Sequence, residues 1–322
     1  MPRSERCPLI ATLTLNPAMD LSVSTPRLIS TEKLRCSLPR HDPGGGGINV
    51  ARVVKTLGGR AIAIYPAGGP FGDLLQRSLD ELGLVHRPVS ITGDTRESFT
   101  VDELGSGLQY RFVLPGPTLS AQELRRCLDS LAALQPAPAY VVLSGSFPPG
   151  VDLGFYDELL ALTCGIGARL VVDLSGEPLR HAARQGGAYL MKPSLDELSS
   201  LVGYPISSEA EQEAALRRLI AQGCAEVVVL SLGAQGALYA CGDELQRLPS
   251  ADVPVVSAVG AGDSMLGAMV LALAEARSLQ DAVCRGIAAG AATVMRPGTE
   301  LCHREDVQRL LQSVADAPSR SG

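Results

Sequence analysis

The stretch Ala258-Val259-Gly260-Ala261-Gly262-Asp263-Ser264-Met265-Leu266-Gly267 decides the fold of this chain. A turn of small residues is followed at once by an apolar run that predicts a helix. The unpaired amides at the start of a helix are positively polarised and bind anions. Asp263 lies on the same turn, so it either caps the helix or accepts a proton from a hydroxyl while the amides stabilise charge on a phosphoryl group.

A second glycine-rich stretch, Pro43-Gly44-Gly45-Gly46-Gly47-Ile48-Asn49, precedes a predicted helix over residues 50–57. Four consecutive glycines are entropically costly as a bare turn, which favours a ligand-binding loop. The stretch matches neither the dinucleotide-binding fingerprint nor the Walker phosphate loop. Asp20 closes another loop that follows a predicted strand at residues 9–15, where ligands bind in open α/β sheets.

The remaining sequence alternates short apolar runs with helical segments, most regularly after residue 120. This alternation predicts a mainly parallel sheet with helices on both faces. Residues 98–102 and 108–114 instead flank the turn Gly105-Ser106-Gly107 and predict a hairpin. We expect one domain over residues 1–322, with a small β lid formed by residues 21–42 and 94–115. Short strands are predicted in the lid at residues 21–24 and 33–38.

The composition excludes several classes of protein. The 322 residues carry a net charge of −6, which gives no electrostatic footprint for nucleic acid. No apolar run reaches the length of a membrane span, and the first residues lack the apolar segment of a signal peptide. Eight scattered cysteines without a C-x-x-C pair indicate reduced thiols. We therefore expect a cytoplasmic protein that binds neither membrane nor nucleic acid.

Further candidate residues each have a structural alternative. Lys33, Arg96 and Arg111 lie in or beside the predicted lid, and they are either solvated charges or a phosphate-binding group. Ser194 and Glu197 form a capping-box pattern, yet Glu197 could also reach a hydrated Mg²⁺ on a nucleotide. The apolar face of the lid hairpin needs a cover, which a homodimer through the lids would provide.

Taken together, these motifs resemble the ribokinase-like sugar kinases of the phosphofructokinase-B family, along the chain from about residue 9 to residue 310. The resemblance is carried by two signatures in the expected order, Pro43 to Asn49 and Val259 to Ser264. Residues 32–36, 110–113, 144–146, 148–150 and 298–302 resemble the bacterial members that phosphorylate fructose 6-phosphate. The resemblance implies a three-layer α/β sandwich with a mainly parallel central sheet and a small β lid.

The resemblance also implies Mg²⁺-dependent transfer of the ATP γ-phosphoryl group to the C1 hydroxyl of fructose 6-phosphate. Asp263 would be the base, and Gly260, Ala261 and Gly262 would form the anion hole. The implied sugar-phosphate residues are Asp20, Lys33, Gly44, Gly45, Gly46, Gly47, Asn49, Arg96, Arg111 and Ser144. The implied nucleotide residues are Lys192, Ser194, Ser231, Gly233, Gly236 and Ser257, with Glu197 supporting Mg²⁺.

Two departures from the family pattern affect the cofactors. Ser194 stands where the family usually has Asn, and serine reaches less far toward a nucleotide. A monovalent-cation site would fall on Ser257, Val259, Thr293 and Gly298, with Arg296 and Glu300 at positions of the same site. The guanidinium of Arg296 would repel or replace K⁺. The rival functions are a 1-phosphofructokinase, a tagatose-6-phosphate kinase and, in a different class, a non-catalytic sugar-phosphate sensor.

Overall fold

The computed structural model describes residues 7–315 and 320–321. The strands are β1 (Leu9–Leu13), β2 (Ala18–Thr25), β3 (Arg40–Gly44), β4 (Arg60–Ala67), β5 (His86–Ser90), β6 (Arg96–Glu103), β7 (Leu108–Val113), β8 (Tyr140–Ser144), β9 (Arg169–Asp173), β10 (Ala188–Met191), β11 (Ala225–Ser231), β12 (Ala237–Cys241), β13 (Glu244–Leu248) and β14 (Arg320–Ser321). The helices are α1 (Gly46–Thr56), α2 (Gly69–Glu81), α3 (Ala121–Ala132), α4 (Gly154–Gly165), α5 (Gly176–Gln185), α6 (Leu195–Val202), α7 (Glu209–Ala221), α8 (Ala261–Ala274), α9 (Leu279–Val294) and α10 (Arg304–Ala315).

The main sheet has ten strands in the order β14-β13-β12-β11-β10-β9-β8-β1-β4-β5. Neighbouring strands from β11 to β5 are parallel, and β12, β13 and β14 extend one edge in antiparallel pairing. Alternate residues of β1 point to opposite faces of the sheet. Ala11 and Leu13 pack in one buried cluster, and Ile10 packs in another. The mixed α/β class with a mostly parallel sheet is therefore confirmed.

Helices cover both faces of this sheet. Residues of α3, α4, α5, α6 and α7 pack against one face, and residues of α1, α2, α8 and α9 pack against the other. Helix α8 is buried along nearly its whole length, from Ser264 to Ala274. Although α8 is apolar, none of the helices in the described ranges is long and apolar enough to cross a lipid bilayer.

Four strands form a separate sheet in the order β3-β2-β6-β7. The predicted hairpin is present as β6 and β7, and Phe99 stacks on Phe112 across it with ring centroids 4.6 Å apart. The strand predicted at residues 33–38 is wrong, because those residues are described and form no strand. Leu38 is 92% exposed, so this segment has no apolar partner that would fix it in a sheet. The amide of Ser37 donates to the carbonyl oxygen of Ser24 on β2, but the strand pairing with β2 begins at Arg40.

Two further differences arise from weak sequence signals. Strand β5 was not predicted, since His86–Ser90 contains a proline and little alternation, and it pairs only at the sheet edge. Helix α1 begins at Gly46, earlier than predicted, so two of the four glycines form its first turn. The glycine run is thus a strand end and a helix start joined by one residue, Gly45.

Candidate active site

A cavity of about 280 Å³ lies between the carboxyl ends of the central strands and the four-stranded sheet. Ser144 ends β8 and Asp173 ends β9, and both line it. The starts of α1 and α8 and residues of β2, β6 and β7 complete its walls. Eleven of the predicted site residues line this cavity: Asp20, Gly45, Gly46, Asn49, Arg96, Arg111, Ser144, Glu197, Val259, Gly260 and Asp263.

Asp263 lies in the first turn of α8 and is partly buried. Its Oδ2 accepts a hydrogen bond of 2.9 Å from Nδ2 of Asn49, which lies 214 positions earlier in the chain. Burial raises the pKa of Asp263, while the Asn49 bond and the nearby Lys192 charge oppose that shift. The capping alternative is not what the structure shows, because Gly260 is the N-cap and no side chain caps α8.

The turn that precedes α8 depends on glycine. Gly260 has a φ of 76°, in the left-handed region that favours glycine, and a Cβ there would lie 2.6 Å from Leu301 Cδ2. The first amides of α8 therefore follow a turn that leaves them without a side-chain partner. Because helix N-termini favour negative charge, this end of the cavity suits an anion.

The first glycine run allows close approach to three polar side chains. A Cβ at Gly44 would lie 2.2 Å from Asp20 Oδ2, and one at Gly46 would lie 2.2 Å from Ser144 Oγ. A Cβ at Gly47 would lie 2.5 Å from Thr14 Oγ1. Gly44 thus packs against Asp20 of the cavity wall and Gly47 packs against Thr14 outside it, whereas Gly45 and Gly46 line the cavity itself.

Two arginines give the lid end of the cavity a positive charge. Arg96 donates to the carbonyl oxygens of Leu114 at 2.9 Å and Asn16 at 3.1 Å, which fixes its guanidinium. Its Nε and the hydroxyl of Ser144 are buried and have no partner among the described residues. Arg111 on β7 lies opposite Thr100 on β6 and also lines the cavity. Fixed, unpartnered donors of this kind suit a phosphate.

Lys33 is a predicted sugar-phosphate residue that the structure does not bring to the cavity. It is exposed, lies in the irregular segment before β3, and is not part of the cavity wall. The charges that do face the cavity on this side are Arg96 on β6 and Arg111 on β7, with Asp20 on β2, the other neighbour of β6. Burial raises the pKa of Asp20, and the two arginines oppose the shift.

A buried ion pair lies at the opposite side of the site. Lys192 Nζ is 3.1 Å from Asp173 Oδ1. Burial raises the pKa of Asp173 to about 6, although Lys192 opposes the shift. Burial also disfavours the charge on Lys192, but Asp173, Asp263 and Glu197 together hold the pKa of Lys192 above its usual value. Lys192 is thus a cation held close to the Asp263 carboxylate.

The capping box at the start of α6 is present. Glu197 Oε2 accepts from the amide of Ser194 at 2.8 Å and from its hydroxyl at 2.9 Å. Glu197 also lines the cavity, so the structure is compatible both with a capping role and with a role beside a hydrated Mg²⁺. Ser194 also pairs with Ser231, which brings these two predicted nucleotide residues together. Gly233 and Gly236 lie just beyond, on the turn between β11 and β12, outside the cavity wall.

The predicted monovalent-cation residues make two separate sets of hydrogen bonds. Ser257 donates its hydroxyl to the carbonyl of Gly298 at 2.7 Å, and Thr293 donates to Ser264 at 2.7 Å. The guanidinium of Arg296 pairs with Asp306 on α10. Glu300 pairs with His303 at 2.8 Å and with Arg40 of the lid at 3.7 Å. Ala261 and Gly262 continue the first turn of α8 nearby.

Sequence reasoning missed several residues of the cavity wall. Asp173 ends a parallel strand, and the rule that singled out Asp20 could have found it. Thr299 donates its hydroxyl to Asp42 Oδ2 at 2.5 Å and thereby joins the lid to the loop after α9. No local pattern indicates that contact, because the two residues are 257 positions apart. Ser98, Phe99, Thr100, Phe112, Ser146 and Ser175 also line the cavity.

Known proteins share this architecture. ATP-dependent 6-phosphofructokinase isozyme 2 of Mycobacterium tuberculosis is 46% identical over 309 residues, which cover 96% of this chain and 91% of that protein. Phosphofructokinase-2 from Escherichia coli, solved in complex with potassium, superposes with a TM-score of 0.92 at 40% identity, covering 96% of this chain and 99% of that one. The same enzyme with fructose-6-phosphate gives a TM-score of 0.90 with the same identity and coverage.

The fold and this site define a ribokinase-like phosphotransferase. The sequence profile described as pfkB family carbohydrate kinase matches residues 10–306. The chain belongs to the pfkB family of carbohydrate kinases.

Proposed function

We propose that this chain transfers the γ-phosphoryl group of ATP to the C1 hydroxyl of fructose 6-phosphate, forming fructose 1,6-bisphosphate. One observation carries the proposal: the Asp263 carboxylate, the N-terminus of α8 and the Arg96 and Arg111 guanidinium groups line one cavity. That cavity offers a base, an anion site and a phosphate site together. The names of the similar enzymes from M. tuberculosis and E. coli support the same substrate.

In this proposal Asp263 accepts the proton of the C1 hydroxyl as that oxygen attacks the phosphorus. Phosphoryl transfer is loose, so the proton leaves late and positioning supplies most of the rate. The amides of Gly260, Ala261 and Gly262 stabilise the charge on the transferred group. Asp20 and Asn49, with the glycine run Gly44 to Gly47, hold the sugar hydroxyls.

The 6-phosphate of the sugar would lie between Arg96 and Arg111. The buried, unpartnered Ser144 hydroxyl faces the same cavity and can donate to it. Lys33 belongs to this group only if the exposed segment before β3 closes over the substrate. We therefore assign Lys33 the weakest share of phosphate binding among these side chains.

The nucleotide would lie along Lys192, Ser194, Ser231, Gly233, Gly236 and Ser257. Asp173 and Glu197 are oxygen donors of the kind that suit Mg²⁺, and the described residues contain no cluster of three metal-ligating side chains. Mg²⁺ would thus be held mostly through ATP phosphates and water. When bound, it neutralises charge on the phosphates.

A monovalent cation is a separate proposal. The oxygens of Ser257, Val259, Thr293 and Gly298 are suitable donors, and the Arg296 guanidinium is already paired with Asp306. This pairing removes part of the repulsion that Arg296 would exert on K⁺. We expect K⁺ to activate weakly, which assays in potassium and tetramethylammonium salts compare directly.

We further propose that residues 1–322 act as one kinase domain whose lid, residues 21–42 and 94–115, closes on the sugar. Leu108, Tyr110, Phe112 and Leu114 expose an apolar face on β7 and the residue just beyond it. A second copy covering these faces would make a homodimer through the lids. Scattering or sedimentation would show a dimer; a monomer would remove this part of the proposal.

All eight cysteines are free thiols, which fits a cytoplasmic enzyme.

The experiment is an assay of ADP release with ATP and Mg²⁺ against three substrates: fructose 6-phosphate, fructose 1-phosphate and tagatose 6-phosphate. The proposal predicts the highest kcat/KM with fructose 6-phosphate. A higher value with fructose 1-phosphate or tagatose 6-phosphate would replace the substrate but keep the kinase. Binding of a sugar phosphate without ADP release would identify a sensor and reject the proposed reaction.

A further inference from the structure

Arg52 is a charged residue of α1 that lies outside the cavity wall, one turn after Asn49. Its Nη1 donates to the carbonyl oxygen of Pro43 at 2.8 Å and to Oδ1 of Asn49 at 3.1 Å. The other end of the same amide, Nδ2 of Asn49, donates to Oδ2 of Asp263 at 2.9 Å. A continuous chain of hydrogen bonds therefore joins Arg52 to the proposed base.

The chemistry of these three side chains permits only one orientation of the Asn49 amide. An arginine can only donate, whereas an asparagine amide accepts at one end and donates at the other. If the Asn49 amide turned over, its oxygen would face the Asp263 carboxylate and its NH₂ would face the guanidinium. Both contacts would then be repulsive. Arg52 thus fixes the amide so that a donor faces Asp263.

We propose that Arg52 is a positioning residue for phosphoryl transfer. It holds the Asn49 amide with its NH₂ group toward Asp263, and this donor orients the Asp263 carboxylate and keeps that carboxylate ionised. The proposal rests on the proposed function to the extent that Asp263 is the base. It is independent of which sugar phosphate is the substrate. Arg52 touches neither the sugar nor the nucleotide in this account, and it acts through Asn49.

The other charges around Asp263 remain in place when Arg52 is changed. Lys192 at the end of β10 and Arg111 on β7 favour the ionised carboxylate, while Asp20 on β2 and Asp173 at the end of β9 disfavour it. Arg52 and Asp263 also attract each other directly. Removing Arg52 subtracts one cation and releases the amide. Both changes raise the pKa of Asp263, so the acid limb of the kcat profile moves to higher pH.

The test compares Arg52→Met, Arg52→Lys, Asn49→Ala and the double variant Asn49→Ala/Arg52→Met with wild type. We expect Arg52→Met to lower kcat by about 10- to 100-fold, the loss of one charge-assisted hydrogen bond. The acid limb of its kcat profile should move to higher pH, with little change in the KM for ATP. Arg77→Met, at an exposed arginine of α2, is the matched control and should leave the profile unchanged.

The double variant separates positioning from a structural role. If Arg52 acts through Asn49, adding Arg52→Met to Asn49→Ala should cost less than about two-fold more in kcat, because coupled residues are not additive. Arg52→Lys keeps a cation with hydrogen-bond donors. Compared with Arg52→Met, it should regain part of the rate and show the wild-type acid limb. If Arg52→Met is unstable by its Tm, the comparison of Arg52→Lys with Asn49→Ala carries the test alone.

Two results would overturn the proposal: an acid limb that stays in place in Arg52→Met, or fully additive losses in the double variant. Either would mean that Arg52 only secures the end of β3 through the Pro43 carbonyl. The wild-type chain decides the underlying reaction separately. Absence of ADP release with all three sugar phosphates would reject the kinase reaction, and with it this inference, before any variant is compared.

Discussion

Replacement of Asp263 by asparagine separates the chemistry of the site from its architecture. The substituted amide keeps the shape of the side chain, and its carbonyl oxygen can still accept the 2.9 Å hydrogen bond that Asn49 now donates. The buried packing of α8 from Ser264 onward is untouched. The variant should therefore fold, with a Tm close to that of wild type, and should bind ATP. What it loses is the acceptor for the hydroxyl proton.

The expected loss follows from the role of a general base, which contributes about 10²- to 10⁴-fold to a rate. At 1.36 kcal/mol per factor of ten, this corresponds to about 3–5 kcal/mol of transition-state stabilisation. The pH profile gives a second readout. Because only the ionised Asp263 accepts a proton, wild-type kcat falls as the pH falls through its raised pKa, and Asp263→Asn should lose that limb.

The assay couples ADP release to NADH oxidation, with Asp73→Asn as the control at an exposed carboxylate of α2. The control should keep wild-type kcat and the acid limb. ATP affinity is measured separately by fluorescence or calorimetry. An Asp263→Asn variant with near-wild-type turnover would refute the role of this residue, whatever its pH profile.

Other variants test the remaining parts of the site. Arg96→Met and Arg111→Met should each raise the KM for the sugar phosphate by about 10- to 100-fold while leaving the KM for ATP nearly unchanged, as separate KM measurements would show; equal effects on both would contradict a phosphate site. Lys192→Met should weaken ATP binding and lower Tm, because it leaves Asp173 buried without its partner, and an unchanged Tm in thermal unfolding would argue against the buried pair. Thr299→Val removes the hydrogen bond to Asp42 and should raise ATP hydrolysis without sugar relative to sugar phosphorylation; an unchanged ratio would show that this contact does not hold the lid.

The two glycine-rich turns could be predicted from the sequence because their chemistry is concentrated in a few consecutive residues. The alternation of apolar runs with helices likewise predicts the parallel sheet, and the structure confirms it. The contact between Asn49 and Asp263 could be expected only through the resemblance to a family. Nothing local connects two residues that are 214 positions apart.

One wrong prediction and one missed residue have physical causes of the same kind. Residues 33–38 alternate enough to predict a strand, but no apolar surface is available to pack on them, and Leu38 stays exposed. Arg52 has the sequence context of an ordinary solvated charge on a helix. Its contacts with Pro43 and Asn49 follow from the tight turn that the glycine run makes, which no local sequence pattern indicates.

The central claim is that the attacking hydroxyl, the base and the anion site meet in one cavity. The most direct measurement is a crystal structure with fructose 6-phosphate and a non-hydrolysable ATP analogue. The account predicts the C1 hydroxyl within hydrogen-bonding distance of Asp263, the γ-phosphate at the first amides of α8 and the 6-phosphate between Arg96 and Arg111. A sugar bound with its C1 hydroxyl turned away from Asp263, or outside this cavity, would contradict it.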